Sequence, residues 1–203
     1  MKAEPKYSFY RKCFCIARVL FFMFFFYKVR GRENVPDGAA MICPNHSSYF
    51  DPILVSLALG IEHYVHYVAK IELFNVPVLS LLIKKLGAIS VDRNSSDIST
   101  IKASLKFLKK GEKVSIFPEG RRAAADDEVS AKYGAVKLAE RAGVPIVPVF
   151  VPRKKPLFGR LELVIGTPFI IQAQDTKRTA DDYTLLVDSL MDSIEALNPA
   201  AQS

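Results

Sequence analysis

The chain has 203 residues, 50% of them hydrophobic, which is enough for one sizeable core and too few to suggest several. Its formal charge of +7 is confined to residues 1–32, where Lys2, Lys6, Arg11, Lys12, Arg18, Lys28, Arg30 and Arg32 oppose the single acid Glu4, and the remainder is balanced. A nucleic-acid enzyme would spread its basic side chains over a groove of the folded body, so the expected partner is an anionic membrane surface and no nucleic acid.

In chain order, residues 13–29 form a strongly apolar segment with basic residues at both ends and Arg18 inside. Its uninterrupted apolar run, Val19 to Tyr27, is far shorter than the ~20 residues a spanning helix needs. A secretory signal has a similar start, but Lys28-Val29-Arg30-Gly31-Arg32 follows in place of a small-residue cleavage site. The segment reads as a helix lying in one leaflet, with its lysines and arginines reaching lipid phosphates. The alternative is a helix docked on the body, since an all-round apolar run can equally be buried by protein. Residues 1–32 are therefore treated as a membrane-associating segment and 33–203 as the catalytic domain. The expected location is the cytoplasmic face of the membrane, peripheral or monotopic. Cys13, Cys15 and Cys43 have no paired spacing, so neither a disulfide framework nor a zinc site is expected.

After the turn-rich residues 31–38, short apolar runs at 39–43, 64–69, 88–91, 114–117, 146–151 and 161–165 read as strands. Helical periods lie between them. Asp51 and Pro52 provide a cap and a first-turn proline for a helix closed by Gly60, and Pro77 opens the next. Ser95 or Ser96 caps a helix ended by Gly111, residues 132–142 run up to Gly143, and residues 180–197 complete the set. Strands alternating with helices predict an α/β fold with a mainly parallel sheet flanked by helices.

Polar clusters follow four of these strands. They are Asn45-His46-Ser47-Ser48-Tyr49-Phe50-Asp51, then Lys70, then Asp92-Arg93, then Pro118-Glu119-Gly120-Arg121-Arg122. Parallel strands would bring all four to one carboxyl edge, where open α/β sheets bind ligands. A carboxylate at Asp51 can accept the proton-bearing nitrogen of His46, leaving the other nitrogen to act as a base. Taken alone, the pair reads more simply as a helix cap beside a loop histidine. Ser47 and Ser48 are expected to make local loop hydrogen bonds, and no Gly-x-Ser-x-Gly elbow exists for an acyl-serine route. His63 and His66 lie in an extended run that would point their rings to opposite faces, so no metal is expected. Walker A and dinucleotide glycine patterns are absent, and no cofactor is suggested.

Four blocks alter the weighing of that pair. Asn45 to Asp51, Ala69-Lys70-Ile71-Glu72-Leu73 with Gly87 to Arg93, Phe117-Pro118-Glu119-Gly120, and Val144 to Val149 stand in the order found in the glycerolipid acyltransferase family. The chain resembles that family, and in particular its bacterial 1-acyl-glycerol-3-phosphate acyltransferases, over roughly residues 31–170. The resemblance implies acyl transfer from an acyl carrier protein or coenzyme A thioester to the free hydroxyl of a lysophospholipid acceptor, giving phosphatidic acid. His46 would be the base and Asp51 its orienting partner. Arg93, Glu119, Gly120 and Arg122, with Lys70 as a weaker member, would bind the phosphate-bearing acceptor. Arg121 stands where the family usually has threonine, so another lysolipid or glycerol-3-phosphate remains an alternative acceptor. A non-catalytic lipid-binding protein is the rival of another class.

Overall fold

The computed structural model describes residues 5–92, 98–120, 133–172 and 178–201. Seven strands form one sheet: β1 (Phe26–Arg30), β2 (Met41–Pro44), β3 (Val65–Lys70), β4 (Ile89–Val91), β5 (Lys113–Ser115), β6 (Ile146–Phe150) and β7 (Arg160–Ile165), in the order β1-β7-β6-β2-β5-β3-β4. Every pairing is parallel except β6 with β7, so β1 and β7 run against the other five. The expectation of a mainly parallel sheet is thus met, with two reversed strands at one side.

Two helical layers cover the sheet. On one face lie α1 (Pro5–Phe24) and α2 (Asp51–Leu59), packed on Ile42, Val147 and Val149. On the other lie α4 (Ile98–Lys109), α5 (Gly134–Ala142) and α6 (Ala180–Ala196), packed on Met41, Cys43, Ile146 and Phe150. Successive strand residues thus feed opposite cores, which is why these strands are continuously apolar instead of alternating with polar residues. A short helix, α3 (Leu79–Lys85), precedes β4. The caps expected at Ser95 or Ser96 and the helix start at residue 132 lie outside the described residues.

Residues 26–30, read from the sequence as part of the membrane-associating segment 1–32, form the edge strand β1. Phe26 N–H donates to Gly159 O at 3.0 Å, and Phe26 to Arg30 pair with Arg160 to Val164. The apolar run Val19 to Tyr27 carries no period that separates helix from strand, so the point within it where helix gives way to strand was not legible. Arg32 is also drawn into the body. Its Nε and Nη2 donate to Ala58 O at 2.8 Å and Leu57 O at 3.0 Å, capping the last carbonyls of α2.

One face of α1 is docked on the body and the other is exposed. Tyr10, Phe14 and Phe21 are buried on the body, with Tyr10 edge-on to Tyr64 and Phe21 edge-on to Phe50. Ile16, Val19, Leu20, Phe22, Met23 and Phe24 are exposed. No helix among the described residues is long and apolar enough to cross a membrane.

Candidate active site

The parallel arrangement of β2 to β6 places their carboxyl ends on one edge, and the site is built there. At the end of β2, Asn45 extends the ladder with its side chain. Its Nδ2 donates to Val151 O at 2.8 Å and its Oδ1 accepts from Val151 N–H at 2.7 Å. A side-chain amide has one acceptor and one donor face, so Asn45 satisfies both backbone groups of Val151 while the chain leaves the sheet. His46 is thereby fixed at the strand end, with its ring stacked on Phe117 at 4.0 Å between centroids.

His46 Nδ1 lies 2.9 Å from Asp51 Oδ2. The same oxygen accepts from Ser47 N–H at 2.6 Å and Ser48 N–H at 2.7 Å. Asp51 therefore does not act as the helix cap expected from the sequence. Phe50 holds that position, Asp51 is the first helical residue, and its carboxylate turns back into the preceding loop. Burial alone would raise the Asp51 carboxyl, but His46, Lys155 and Ser48 N–H hold it below its ordinary value. It is ionised at neutral pH and can only accept, so Nδ1 of His46 carries the proton and Nε2 presents its lone pair.

Glu119 follows β5 in a turn closed by Gly120 N–H donating to Phe117 O at 3.0 Å. Gly120 has φ 66°, the left-handed region that a side chain disfavours. Burial pushes the Glu119 carboxyl up, while Arg153 and the His46 backbone N–H oppose the rise. Glu119 is paired with an arginine that the sequence reading did not single out. Arg153 Nη2 lies 3.1 Å from Glu119 Oε1 and 2.7 Å from Glu195 Oε1 of α6.

Lys155 was also missed. Its ammonium lies 2.8 Å from Asp51 Oδ1, the oxygen that His46 does not use, and donates to Ser47 Oγ at 2.9 Å and Pro152 O at 2.6 Å. Ser47 Oγ in turn donates to Arg153 O at 3.3 Å, so this hydroxyl serves the loop, as expected. A signal was present, because Arg153-Lys154-Lys155 follows β6 at the same carboxyl edge as the other four clusters.

Lys70 ends β3 at this edge, half exposed and paired with Glu72 at 2.9 Å. Arg93, Arg121 and Arg122 lie outside the described residues. His63 and His66 do not converge. The His66 ring is buried against Phe107 and hydrogen-bonds Gly87 O and Glu112. Among the described residues no group of three or more His, Cys, Asp and Glu could hold a metal ion.

A histidine paired with a buried carboxylate at a sheet edge, beside a second buried carboxylate and two cations, has the chemistry to activate a hydroxyl or a similar proton-bearing nucleophile. The acyltransferase family model matches residues 26–152, and the chain belongs to that family. It is 40% identical to the 1-acyl-sn-glycerol-3-phosphate acyltransferase of Bacillus subtilis strain 168, over 70% of this chain and 72% of that protein. It is 32% identical to the Pseudomonas aeruginosa protein of the same name, over 76% of this chain and 63% of that one. The crystal structure of the 1-acyl-sn-glycerophosphate (LPA) acyltransferase of Thermotoga maritima shares the fold, with a TM-score of 0.67 at 22% identity, covering 98% of this chain and 79% of that one.

Proposed function

We propose that the chain transfers a fatty acyl group from an acyl carrier protein or coenzyme A thioester to the free hydroxyl of 1-acyl-glycerol-3-phosphate, forming phosphatidic acid. The observation that carries this reading is the His46 Nδ1 contact of 2.9 Å with the buried Asp51 carboxylate. The names of the relatives supply the substrate class.

In this mechanism His46 Nε2 takes the proton of the acceptor hydroxyl as its oxygen attacks the thioester carbonyl. The tetrahedral centre then collapses, the carbon–sulfur bond breaks, and the imidazolium returns the proton to the departing thiolate. The products are an ester and a free thiol, with no acyl-enzyme. Arg93 and Arg122 are proposed to bind the acceptor phosphate through charge-assisted bonds, with Lys70, Glu119 and Gly120 completing the acceptor set. The exposed apolar face of α1 is proposed to enter the cytoplasmic leaflet, with the N-terminal cations on its anionic headgroups.

The test uses the full chain in mixed micelles with both thioesters, following thiol release. Lysophosphatidic acid should be acylated well and the phosphate-free monoacylglycerol poorly. Arg93→Ala should raise the Michaelis constant for the phosphorylated acceptor about tenfold to a hundredfold, with little change for the donor. Equal use of both acceptors by the wild type would remove the phosphate-reading assignment. A chain that only binds lipid would release no thiol at all.

A further inference from the structure

The catalytic carboxylate is held from two sides. Asp51 Oδ2 accepts three N–H groups, from His46, Ser47 and Ser48, while Oδ1 faces Lys155 Nζ in an ion-pair contact of 2.8 Å. The Lys155 side chain is only 6% exposed, and its hydrogen bonds to Ser47 Oγ and Pro152 O tie it to the loop of the dyad and to the segment after β6. The histidine can drive the reaction only if it enters each turnover without a proton. A buried carboxylate beside an imidazole works against that, because an adjacent negative charge favours the imidazolium.

We infer that Lys155 is a positioning residue for the His46–Asp51 dyad. It offsets the carboxylate charge felt by the imidazole. The charge effect follows from Coulomb's law in a partly desolvated site, where an opposite charge within ~4 Å of Asp51 cancels much of its field at the ring. Among the described residues Glu119, from the turn after β5, also acts on His46, and it is paired with Arg153 of the segment after β6. Lys155 is therefore the cation assigned to the dyad among the described residues.

This inference rests on the acyl-transfer reading, and the experiment separates the two. The kcat/KM profile against pH is measured by thiol release for wild type, Lys155→Met and Lys155→Arg. In Lys155→Met the acid limb should move up by about one pH unit, so that activity at about pH 6 falls roughly tenfold while activity at about pH 9 stays within a few-fold. Lys155→Arg should keep the wild-type limb. A uniform loss across the pH range, with the limb in place, would mean that Lys155 only supports the loop and would overturn the inference. If Lys155→Met does not fold, Lys155→Gln carries the same readout, because its amide can still donate to Pro152 O. The ring signals of His46, identified against His46→Ala by NMR, should show the same upward displacement without substrate. An inactive wild type with displaced ring signals would defeat the acyl-transfer reading and leave the Lys155 inference standing. Ring signals that titrate identically in wild type and Lys155→Met would defeat the inference itself.

Discussion

Arg153 joins Glu119 to Glu195 through one nitrogen, Nη2, at 3.1 and 2.7 Å, and so ties the motif glutamate after β5 to the last helix of the chain. The residue whose side chain makes this bridge is two positions before Lys155, so one short segment after β6 provides a cation for each of the two buried carboxylates of the site.

The bridge predicts a specific loss. Arg153→Ala leaves Glu119 buried without its counter-charge, and breaking such a pair costs up to about 3 kcal/mol where one partner keeps some water. Burial already raises the Glu119 carboxyl in the wild type, and removing Arg153 should raise it further. The penalty should thus be largest at neutral pH and shrink as acid protonates Glu119. Urea unfolding of the wild type and Arg153→Ala at several pH values measures this. A penalty independent of pH would show that the lost contact was packing and not charge.

Asp51 has the opposite dependence. Its carboxyl is held below its ordinary value in the fold, and a group depressed on folding contributes stability above its unfolded value of about 4 that is lost as pH falls through the folded value. The difference in unfolding free energy between wild type and Asp51→Asn should be full above about pH 5 and narrow steadily below about pH 4. Activity should fall severely in Asp51→Asn, and His46→Ala should lose roughly 100-fold to 10,000-fold while remaining folded. Circular dichroism and thiol release on the same samples check both statements.

Asn45→Ala should destabilise more than a side chain of its size suggests. It strands the N–H and C=O of Val151, both buried, at a cost of about 1 to 3 kcal/mol each. Because the same bonds set the start of the His46 loop, turnover should fall with stability. Thermal melting and kcat at a temperature where the variant is fully folded distinguish the two effects.

The faces of α1 should respond differently. Phe14→Ala removes a buried anchor and should cost about 3 kcal/mol of stability. Phe22→Ser and Met23→Ser alter side chains that are 67% and 60% exposed, so melting should barely move. Binding to anionic vesicles should nonetheless weaken by roughly 1.5 to 3 kcal/mol for the phenylalanine. Flotation of Phe22→Ser equal to that of the wild type would mean that this face does not enter lipid.

The sequence by itself determined the local features. Short apolar runs separated by helical periods specify an α/β sheet, because strands buried on both faces need no polar alternation. The Asn45 to Asp51 spacing brings a histidine and a carboxylate into one loop, a relation set by a few backbone torsions. Gly60, Gly111 and Gly143 mark the ends of their helices, all with positive φ in the structure. Only the tertiary structure decided relations between segments distant along the chain. Phe26 to Arg30 became a strand because β7 offered an edge, and the two faces of α1 diverged because only one met the body. Arg32, grouped by its charge with the membrane-facing cations, found the end of α2 instead. Lys155 and Arg153 reached Asp51 and Glu119 across 104 and 34 positions. Composition and spacing report what a segment can do locally, whereas the partner of a buried charge is chosen by which strands lie side by side.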